Sequence, residues 1–158
     1  MKAVIQRVSG AKVEVDGSVM ASINKGLLVL IGVEKGDMEN DISYISKKIA
    51  NLRIFEDPAS RMNLSVKDIS GEILVVSQFT LLADCRKGNR PSFVDAEEHE
   101  KANRIYMKVA ENLRHAGIPT STGQFAASMK VHLINNGPVT ILLDSRKSST
   151  TPQVTGHT

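Results

Sequence analysis

The chain has 158 residues, of which 41% are hydrophobic and 23% charged, a composition typical of one globular domain with a buried core. Its longest apolar run, residues 26–33, is far shorter than the roughly 20 residues of a membrane helix, and no signal-peptide pattern is expected at the start. A single cysteine, Cys85, excludes an internal disulfide and a multi-cysteine zinc site, so a cytoplasmic location is expected. The net charge of +3 is compatible with a polyanionic partner but does not identify one.

The first third of the chain is predicted to begin with β-strands. Alternating apolar and polar residues predict strands at residues 2–8, 11–15 and 18–23, and Asp16-Gly17 is a strong hairpin signal between the last two. Residues 26–33 are apolar on both faces, which predicts a central strand that is covered on both sides.

Two helices are predicted from apolar residues that recur with helical spacing. The first spans about residues 38–52, with Asp37 as its N-cap. The second spans about residues 95–115, with Asp95 or Ser92 as its N-cap. The buried stripes are predicted to be Ile42, Ile45, Ile49 and Leu52 in the first helix and Ala102, Ile105, Val109 and Leu113 in the second.

Three more strands are predicted, at residues 72–78, 129–134 and 139–143. Because strands and helices do not alternate strictly, the pattern favours an α+β fold over a doubly wound sheet. Residues 146–158 are rich in Ser and Thr and show no periodicity, so they are predicted to be a disordered tail. The folded domain is therefore predicted to end at about residue 145.

The four histidines give no sign of a metal site or of a base-activated nucleophile. His99 and His115 are expected to be exposed residues of the second helix, His132 lies on a predicted strand and His157 in the tail. No HExxH, G-x-S-x-G, Walker or G-x-G-x-x-G motif is present. Any enzymatic activity must therefore work without an obvious catalytic pair.

Two short stretches each allow a structural and a functional interpretation. In SQFTL, residues 77–81, a strongly apolar strand turns polar. The hydroxyl groups at this strand end either form hydrogen bonds with neighbouring backbone groups, or the strand end forms an oxyanion hole. In NNGPVT, residues 135–140, Gly137-Pro138 is either a turn before an edge strand or a loop with a special backbone role. Spacing alone decides neither.

Both stretches have counterparts in one known family. SQFTL, FAASM at residues 125–129 and NNGPVT, in this order and spacing, resemble the motifs of the D-aminoacyl-tRNA deacylase family. The opening MKAVIQRV and LRIFED at residues 52–57 are similar as well. The resemblance covers about residues 1–145, which is nearly the whole chain apart from the tail.

The resemblance implies a homodimeric hydrolase whose active site lies at the dimer interface. Its substrate is the ester that joins a D-amino acid to the terminal adenosine of tRNA. In some members of the family, glycine on the tRNA for alanine is removed as well. It implies two mostly antiparallel sheets with two main helices packed on one side. No cofactor and no metal are implied.

The family also implies roles for particular residues. Ser77, Gln78, Phe79 and Thr80 correspond to the strand end that forms the catalytic pocket. A Gly-cis-Pro dipeptide from the partner enters that pocket, where it acts as a gate against L-amino acids. The residues that correspond to substrate-binding positions are Arg7, Phe125, Met129, Gly137, Pro138 and Thr140. Arg7 resembles an arginine that braces the Gly-Pro loop.

The chemistry of an aminoacyl ester suits these residues. The ester lies beside a ribose hydroxyl and is already labile, so hydrogen-bond donors aimed at the oxyanion are sufficient catalysts. Thr80 is a poor covalent nucleophile, because no neighbouring base is visible to take its proton. We therefore expect positioning and the 2′-hydroxyl of the substrate, rather than an acyl-enzyme.

The loop that follows the site carries Arg86, Lys87 and Arg90, which form either a solvated surface or contacts to tRNA phosphates. Two other functions stay open at this point. One is a non-catalytic module that binds tRNA or nucleotide ends, and the other is a Ser- or Thr-dependent hydrolase of small esters.

Overall fold

The computed structural model describes residues 1–148, which form two α-helices and eight β-strands. Their bounds are β1 Lys2–Val15, β2 Ser18–Ile23, β3 Gly26–Gly32, α1 Glu39–Asn51, β4 Phe55–Glu56, β5 Met62–Leu64, β6 Glu72–Ser77, α2 His99–His115, β7 Thr120–Thr122 and β8 Lys130–Asp144. Within these residues, no helix is long and apolar enough to cross a membrane.

Strand β1 is the centre of a curled six-stranded sheet. Its first half pairs with β3, its second half pairs with β2, and β8 runs antiparallel along both halves. The prediction of separate strands at residues 2–8 and 11–15 was wrong, because Ser9 and Gly10 belong to one continuous strand. The register with β8 shifts at this point, which indicates a β-bulge or an irregularity in the pairing.

The last two predicted strands are also one element, β8. Its register with β1 skips, since Gln6 pairs with Thr140 but Val8 pairs with Asn135. Residues 136–139 therefore bulge out of β8 opposite Arg7. The Gly137-Pro138 peptide bond within this bulge is cis.

The expected pair of mostly antiparallel sheets is only partly observed. The main sheet has the order β2-β1-β3-β6-β7, with β8 on the free side of β1, and it is mixed because β6 is parallel to both β3 and β7. The second sheet is only the short hairpin β4-β5. Strands of two or three residues, including β7, are too short to show a periodicity.

The apolar strand β3 separates two hydrophobic clusters, as the sequence predicted. Leu27, Val29 and Ile31 pack with the buried stripes of both helices. Leu28, on the opposite face, packs inside the curl of the sheet with residues of β1 and β6, among them Val76. Burial on both faces fixes the position of β3 and, with it, that of its parallel neighbour β6.

Both predicted helix caps were wrong. The first helix begins after Met38, whose N–H donates to the Asp41 carboxylate over 2.8 Å, while Asp37 is buried and accepts from the Met1 ammonium over 2.7 Å. The second helix is capped by Glu98 and not by Asp95 or Ser92. Several acidic residues precede each helix, so the local sequence does not single out one cap.

The predicted tail at residues 146–158 lies mostly outside the described residues. Its first residues continue a 3-10 turn, Ser145–Lys147. Arg146 contacts the carboxylates of Glu34 and Asp37 at 3.2 and 3.6 Å.

A substitution at Gly26 tests how closely β3 and β6 approach each other. A Cβ at this position would lie 1.8 Å from the carbonyl oxygen of Glu72, so Gly26→Ala forces the two strands apart. We expect the free energy of unfolding, measured by urea denaturation, to fall by about 3 kcal/mol.

Gly10→Ala is the matched control, because its Cβ would meet only the Ile23 carbonyl oxygen, at an ordinary 3.5 Å. This variant should change stability by about 1 kcal/mol or less. Equal stability of the two variants would contradict the close approach of β3 and β6.

Candidate active site

The SQFT motif lies where β6 leaves the sheet. Ser77 is the last residue of β6, and the Gln78 N–H still donates to the Ile31 carbonyl of β3 over 2.7 Å. The chain then enters a 3-10 turn, Phe79–Leu82, which packs against Gly32. A Cβ on Gly32 would lie 2.5 Å from Leu82, so glycine at this position permits the turn.

Two backbone donors are left over at the start of this turn. Among residues 1–148, no acceptor is bonded to the N–H groups of Phe79 and Thr80. The exposed Thr80 hydroxyl accepts a hydrogen bond from the side-chain amide of Gln78. The turn therefore presents free donors but shows no base that would activate the Thr80 hydroxyl.

A cavity of about 570 Å³ opens beside this turn. Among the predicted site residues, it is lined by Ser77, Gln78, Phe79, Phe125 and Met129. The volume of this cavity is typical of small-ligand pockets. Residues from two distant parts of the sequence thus share one cavity.

Aromatic rings form much of the cavity wall. Phe79 and Phe93 meet edge to face, with ring centroids 5.0 Å apart. Phe125 stacks on the buried Tyr106 at 5.9 Å and meets His99 edge to face at 5.0 Å. Such pairs fix the orientations of the rings and make this part of the wall apolar.

The sequence predicts that His99 is exposed but does not indicate that it lines the cavity. It is exposed, as expected, but its imidazole also lines the cavity. Its contact with Phe125 is tertiary and follows from no periodicity. No signal in the local sequence indicates it.

Both carboxylates that line the cavity, Glu97 and Glu98, already accept hydrogen bonds within the chain. Glu98 accepts from the N–H groups of Lys101 and Glu100 at 2.6 and 3.1 Å, as the cap of α2. The Lys101 ammonium, at 2.9 Å, holds the pKa of Glu97 below its usual value, helped by the N–H of Glu98. A carboxylate with a lowered pKa is a weak general base. Nor does any group of three metal-ligating side chains occur in the part of the chain that the structure describes.

Among the predicted catalytic and substrate-binding residues, five do not line this cavity in the single chain: Arg7, Thr80, Gly137, Pro138 and Thr140. Arg7 is buried and donates to the carbonyl oxygens of Asn136 and Ile54, at 2.9 and 2.8 Å. It thereby holds the residue just before Gly137-Pro138, while both of those residues are exposed.

The bulge is also braced from inside. The Asn135 side chain accepts from the Val139 N–H over 2.9 Å and donates to the Thr140 hydroxyl over 3.1 Å. Gly137 has a φ of 139°, and a Cβ there would lie 2.7 Å from the Val139 side chain. The structure therefore fixes this loop tightly but leaves its tip free.

The basic loop lies next to the cavity. Backbone hydrogen bonds between Asp84 and Ser92 close its base, and Phe93 then enters the cavity wall. Hydrogen bonds from the Arg86 guanidinium, at 2.7 and 2.9 Å, lower the pKa of Asp84 to about 2. Lys87 and Arg90 are exposed, and no carboxylate within residues 1–148 forms an ion pair with either.

Comparison with known proteins agrees with these features. A family model described as D-Tyr-tRNA(Tyr) deacylase matches residues 4–144. The D-aminoacyl-tRNA deacylase of Geobacter sulfurreducens is 58% identical over 152 residues, which cover 95% of this chain and 100% of that protein. The D-aminoacyl-tRNA deacylase of Thermotoga petrophila is 55% identical, over 93% of this chain and 99% of that protein.

Two solved structures share the fold. A structure titled c-Myc DNA Unwinding Element Binding Protein has a TM-score of 0.87 and 43% identity, and the match covers 91% of this chain and 98% of that one. A probable eukaryotic D-amino acid tRNA deacylase has a TM-score of 0.75 at 15% identity, over 90% of this chain and 97% of that one, and shows likeness of fold alone. By the family match and the curated relatives, this chain belongs to the D-Tyr-tRNA(Tyr) deacylase family.

Proposed function

We propose that this chain is a homodimeric, cytoplasmic enzyme that hydrolyses the ester of D-aminoacyl-tRNA and releases the D-amino acid and tRNA. Membership in a family of deacylases supports the reaction class. The observation that carries the proposal is the cavity of about 570 Å³ at the end of β6, where Ser77, Gln78 and Phe79 lie beside free backbone donors.

The proposed mechanism depends on positioning rather than on a nucleophile of the enzyme. The N–H groups of Phe79 and Thr80 are available to the oxyanion that forms when water attacks the ester carbonyl. Each such donor is worth on the order of 3 kcal/mol in the transition state. The neighbouring ribose 2′-hydroxyl of the substrate assists the attack, because the cavity carboxylates are engaged by Lys101 and by the cap of α2.

The proposed gate against L-amino acids is the loop around Gly137-Pro138. Its tip is exposed and outside the cavity of its own chain, and Arg7 holds it from behind. In the proposed dimer, the tip enters the partner's cavity and its carbonyl oxygens accept from the substrate ammonium. An L side chain would then point into the loop, so selectivity comes from excluding the L enantiomer. Glycine has no side chain and passes this gate, so glycyl-tRNA is a further proposed substrate.

The basic loop is proposed to contact phosphates of the tRNA acceptor end. Lys87 and Arg90 are exposed, and the loop leads directly into Phe93 of the cavity wall. Arg86 forms an ion pair with Asp84, so its positive charge is less available to phosphates. Phosphate contacts of this kind position the substrate without reading its sequence.

The experiment that tests the proposed function compares matched D- and L-aminoacyl-tRNA. The protein should release the D-amino acid rapidly and leave the L ester at its spontaneous rate. Binding without release would indicate a non-catalytic module, and turnover of simple carboxylic esters would indicate an ordinary hydrolase. Either result would contradict the proposal.

The role of Thr80 is tested by Thr80→Ala. Because no base adjoins the hydroxyl, this variant should keep much of the deacylation rate, within about tenfold of the wild type. The measurement is the single-turnover rate on D-aminoacyl-tRNA. A loss of about 10⁴-fold, the scale of losing a covalent nucleophile, would overturn the positioning mechanism.

The basic loop is tested by replacing Lys87 and Arg90 with Ala. Loss of two phosphate contacts should weaken tRNA binding and reduce the slope of log K against log salt by about 2. The ratio of D to L turnover should not change, since phosphates carry no information about the amino acid. Arg86→Ala, measured in parallel, should have a smaller effect on the slope. An unchanged slope in the double variant would make this loop an ordinary surface.

The exchange of loops between protomers is tested by mixing two inactive variants. Ala127→Trp fills the cavity wall, and Gly137→Ala displaces the loop because its Cβ would lie 2.7 Å from the Val139 side chain. In a mixed dimer, one intact cavity meets one intact loop. Random pairing should therefore restore about a quarter of wild-type activity.

The matched control is the double variant, which carries both substitutions in one chain, mixed with either single variant. No mixed dimer of this kind contains an intact cavity opposite an intact loop, so no activity should return. If the two single variants also fail to restore activity, the loop does not act in the partner's cavity.

A further inference from the structure

The bulge of β8 has two ends, and different side chains hold them. At its start, the Asn136 carbonyl accepts a hydrogen bond from Arg7 over 2.9 Å. At its end, the Val139 N–H donates to the Asn135 side chain over 2.9 Å. Only Gly137-Pro138 lies between these two held groups, and proline has no N–H that could be held instead. Arg7 therefore leaves the end of the bulge to Asn135.

The Val139 N–H also fixes which way the Asn135 amide faces. A backbone N–H can only donate, so the atom that it meets is the amide oxygen, Oδ1. The amide nitrogen then faces Thr140 and donates to its hydroxyl over 3.1 Å. Gln6, in the opposite strand, donates to the same hydroxyl over 3.5 Å. Thr140 thus has a second donor, whereas Val139 has no partner residue in β1.

The contact with Val139 also directs a carbonyl group of the tip. The Val139 N–H and the Pro138 carbonyl belong to one planar peptide group. This peptide bond is trans, since Gly137-Pro138 is the only cis bond among residues 1–148. In a trans peptide, the N–H and the carbonyl point in opposite directions. Because the N–H is turned toward Asn135, the Pro138 carbonyl is turned away from it.

The two residues that share this hydrogen bond are better shielded from water than the tip. Val139 is 7% exposed and packs in the cluster that contains both helices, and Asn135 is half-buried. Gly137-Pro138 is exposed. A hydrogen bond shielded from water is stronger than an exposed one. The peptide group after Pro138 is thus held on the protected side of the bulge.

We infer that Asn135 is a positioning residue that fixes the direction of the Pro138 carbonyl and thereby determines selectivity. This inference rests on the proposed function, in which the carbonyl accepts from the substrate ammonium in the partner's cavity. An acceptor with a fixed direction receives the ammonium in one arrangement, and in that arrangement an L side chain meets the loop. Rotation of the peptide group allows other arrangements, in which the L side chain avoids the loop.

The chemical step does not depend on Asn135. The donors proposed for the oxyanion are backbone groups of the turn Phe79–Leu82, which belongs to the cavity and not to the bulge. Loss of the Asn135 contact is therefore expected to change which esters are admitted, rather than how fast an admitted ester reacts.

The kinetic test compares Asn135→Ala with the wild type on matched D- and L-aminoacyl-tRNA. Loss of one hydrogen bond should raise the population of rotated peptide groups by about 2- to 12-fold. The rate on the L ester, measured above spontaneous loss with enzyme in excess, should rise by the same factor. The value of kcat on the D ester should stay within about twofold of the wild type, since the oxyanion donors are unchanged.

Two matched variants separate the contact from its surroundings. Asn135→Asp has the same shape and keeps an acceptor for the Val139 N–H, so it should reject the L ester as the wild type does. Its added charge acts on the same ammonium in both esters, so the charge alone does not change the ratio of D to L turnover. Asn136→Ala removes an exposed amide that forms no hydrogen bond within the described residues and keeps the carbonyl that Arg7 binds. This variant should behave as wild type.

A second readout does not depend on activity. Amide hydrogen exchange followed by NMR reports whether the Val139 N–H is bonded. Its exchange should be about 2- to 12-fold faster in Asn135→Ala than in the wild type, and unchanged in Asn135→Asp and Asn136→Ala. If the wild-type protein fails to hydrolyse D-aminoacyl-tRNA, the proposed function fails, whereas the exchange of Val139 still tests the contact.

Three outcomes would overturn the inference while leaving the proposed function intact. The first is a rate on the L ester, or an exchange rate of Val139, that is unchanged in Asn135→Ala. The second is an equal rise of the L rate in Asn135→Asp, which would assign the role to the contact with Thr140. The third is a change of the D and L rates by the same factor, which would make Asn135 a general support of the fold.

Discussion

The arrangement of the candidate site depends on one buried cation, Arg7. Its donors are directed at two carbonyl oxygens from distant parts of the chain, Ile54 at 2.8 Å and Asn136 at 2.9 Å. Taking a guanidinium out of water is costly unless its donors are satisfied, so these two segments are held where they can supply the carbonyls. A residue of β1 thereby fixes the bulge of β8 and the segment that leads into β4. The Gly137-Pro138 tip projects from a base that cannot easily relax.

A second constraint places the cavity. The parallel pairing of β3 with β6 brings Ser77 to the sheet end beside Ile31, and Gly26 and Gly32 permit the close approaches at either end of β3. The cavity therefore belongs to the β6 end, while the tip belongs to β8, on the free side of β1. Within one chain, the Gly137-Pro138 tip does not line the cavity of that chain. The proposed homodimer joins each to the other by symmetry, and the same patch serves on both protomers.

The sequence predicts the parts of this fold that repeat a pattern. It predicts both helices, the doubly covered β3 and the Asp16-Gly17 hairpin, because each has a period or a turn signal of its own. It does not predict that residues 2–15 form one strand, since Ser9-Gly10 looks locally like a break. Of the site, the motifs indicate Ser77, Gln78, Phe79, Phe125 and Met129, which share the cavity. His99 is missed because only a tertiary contact with Phe125 brings it there.

The chemistry of the cavity and the proposed selectivity are linked. Glu97 pairs with Lys101 and Glu98 caps α2, and among the residues that the structure describes no base adjoins the Thr80 hydroxyl. A site of this kind accelerates only an ester that is already labile and correctly placed, because its donors act at one position. An L-aminoacyl ester is chemically as labile as its D counterpart, so reactivity cannot distinguish them. In the proposed mechanism the distinction comes from where the carbonyl is held, and a rigid backbone loop decides that better than a flexible side chain. Because the cavity shows no strong nucleophile within residues 1–148, the proposed selectivity rests on geometry, and the proposed gate accounts for the contacts of Arg7 and Asn135 that immobilise the bulge.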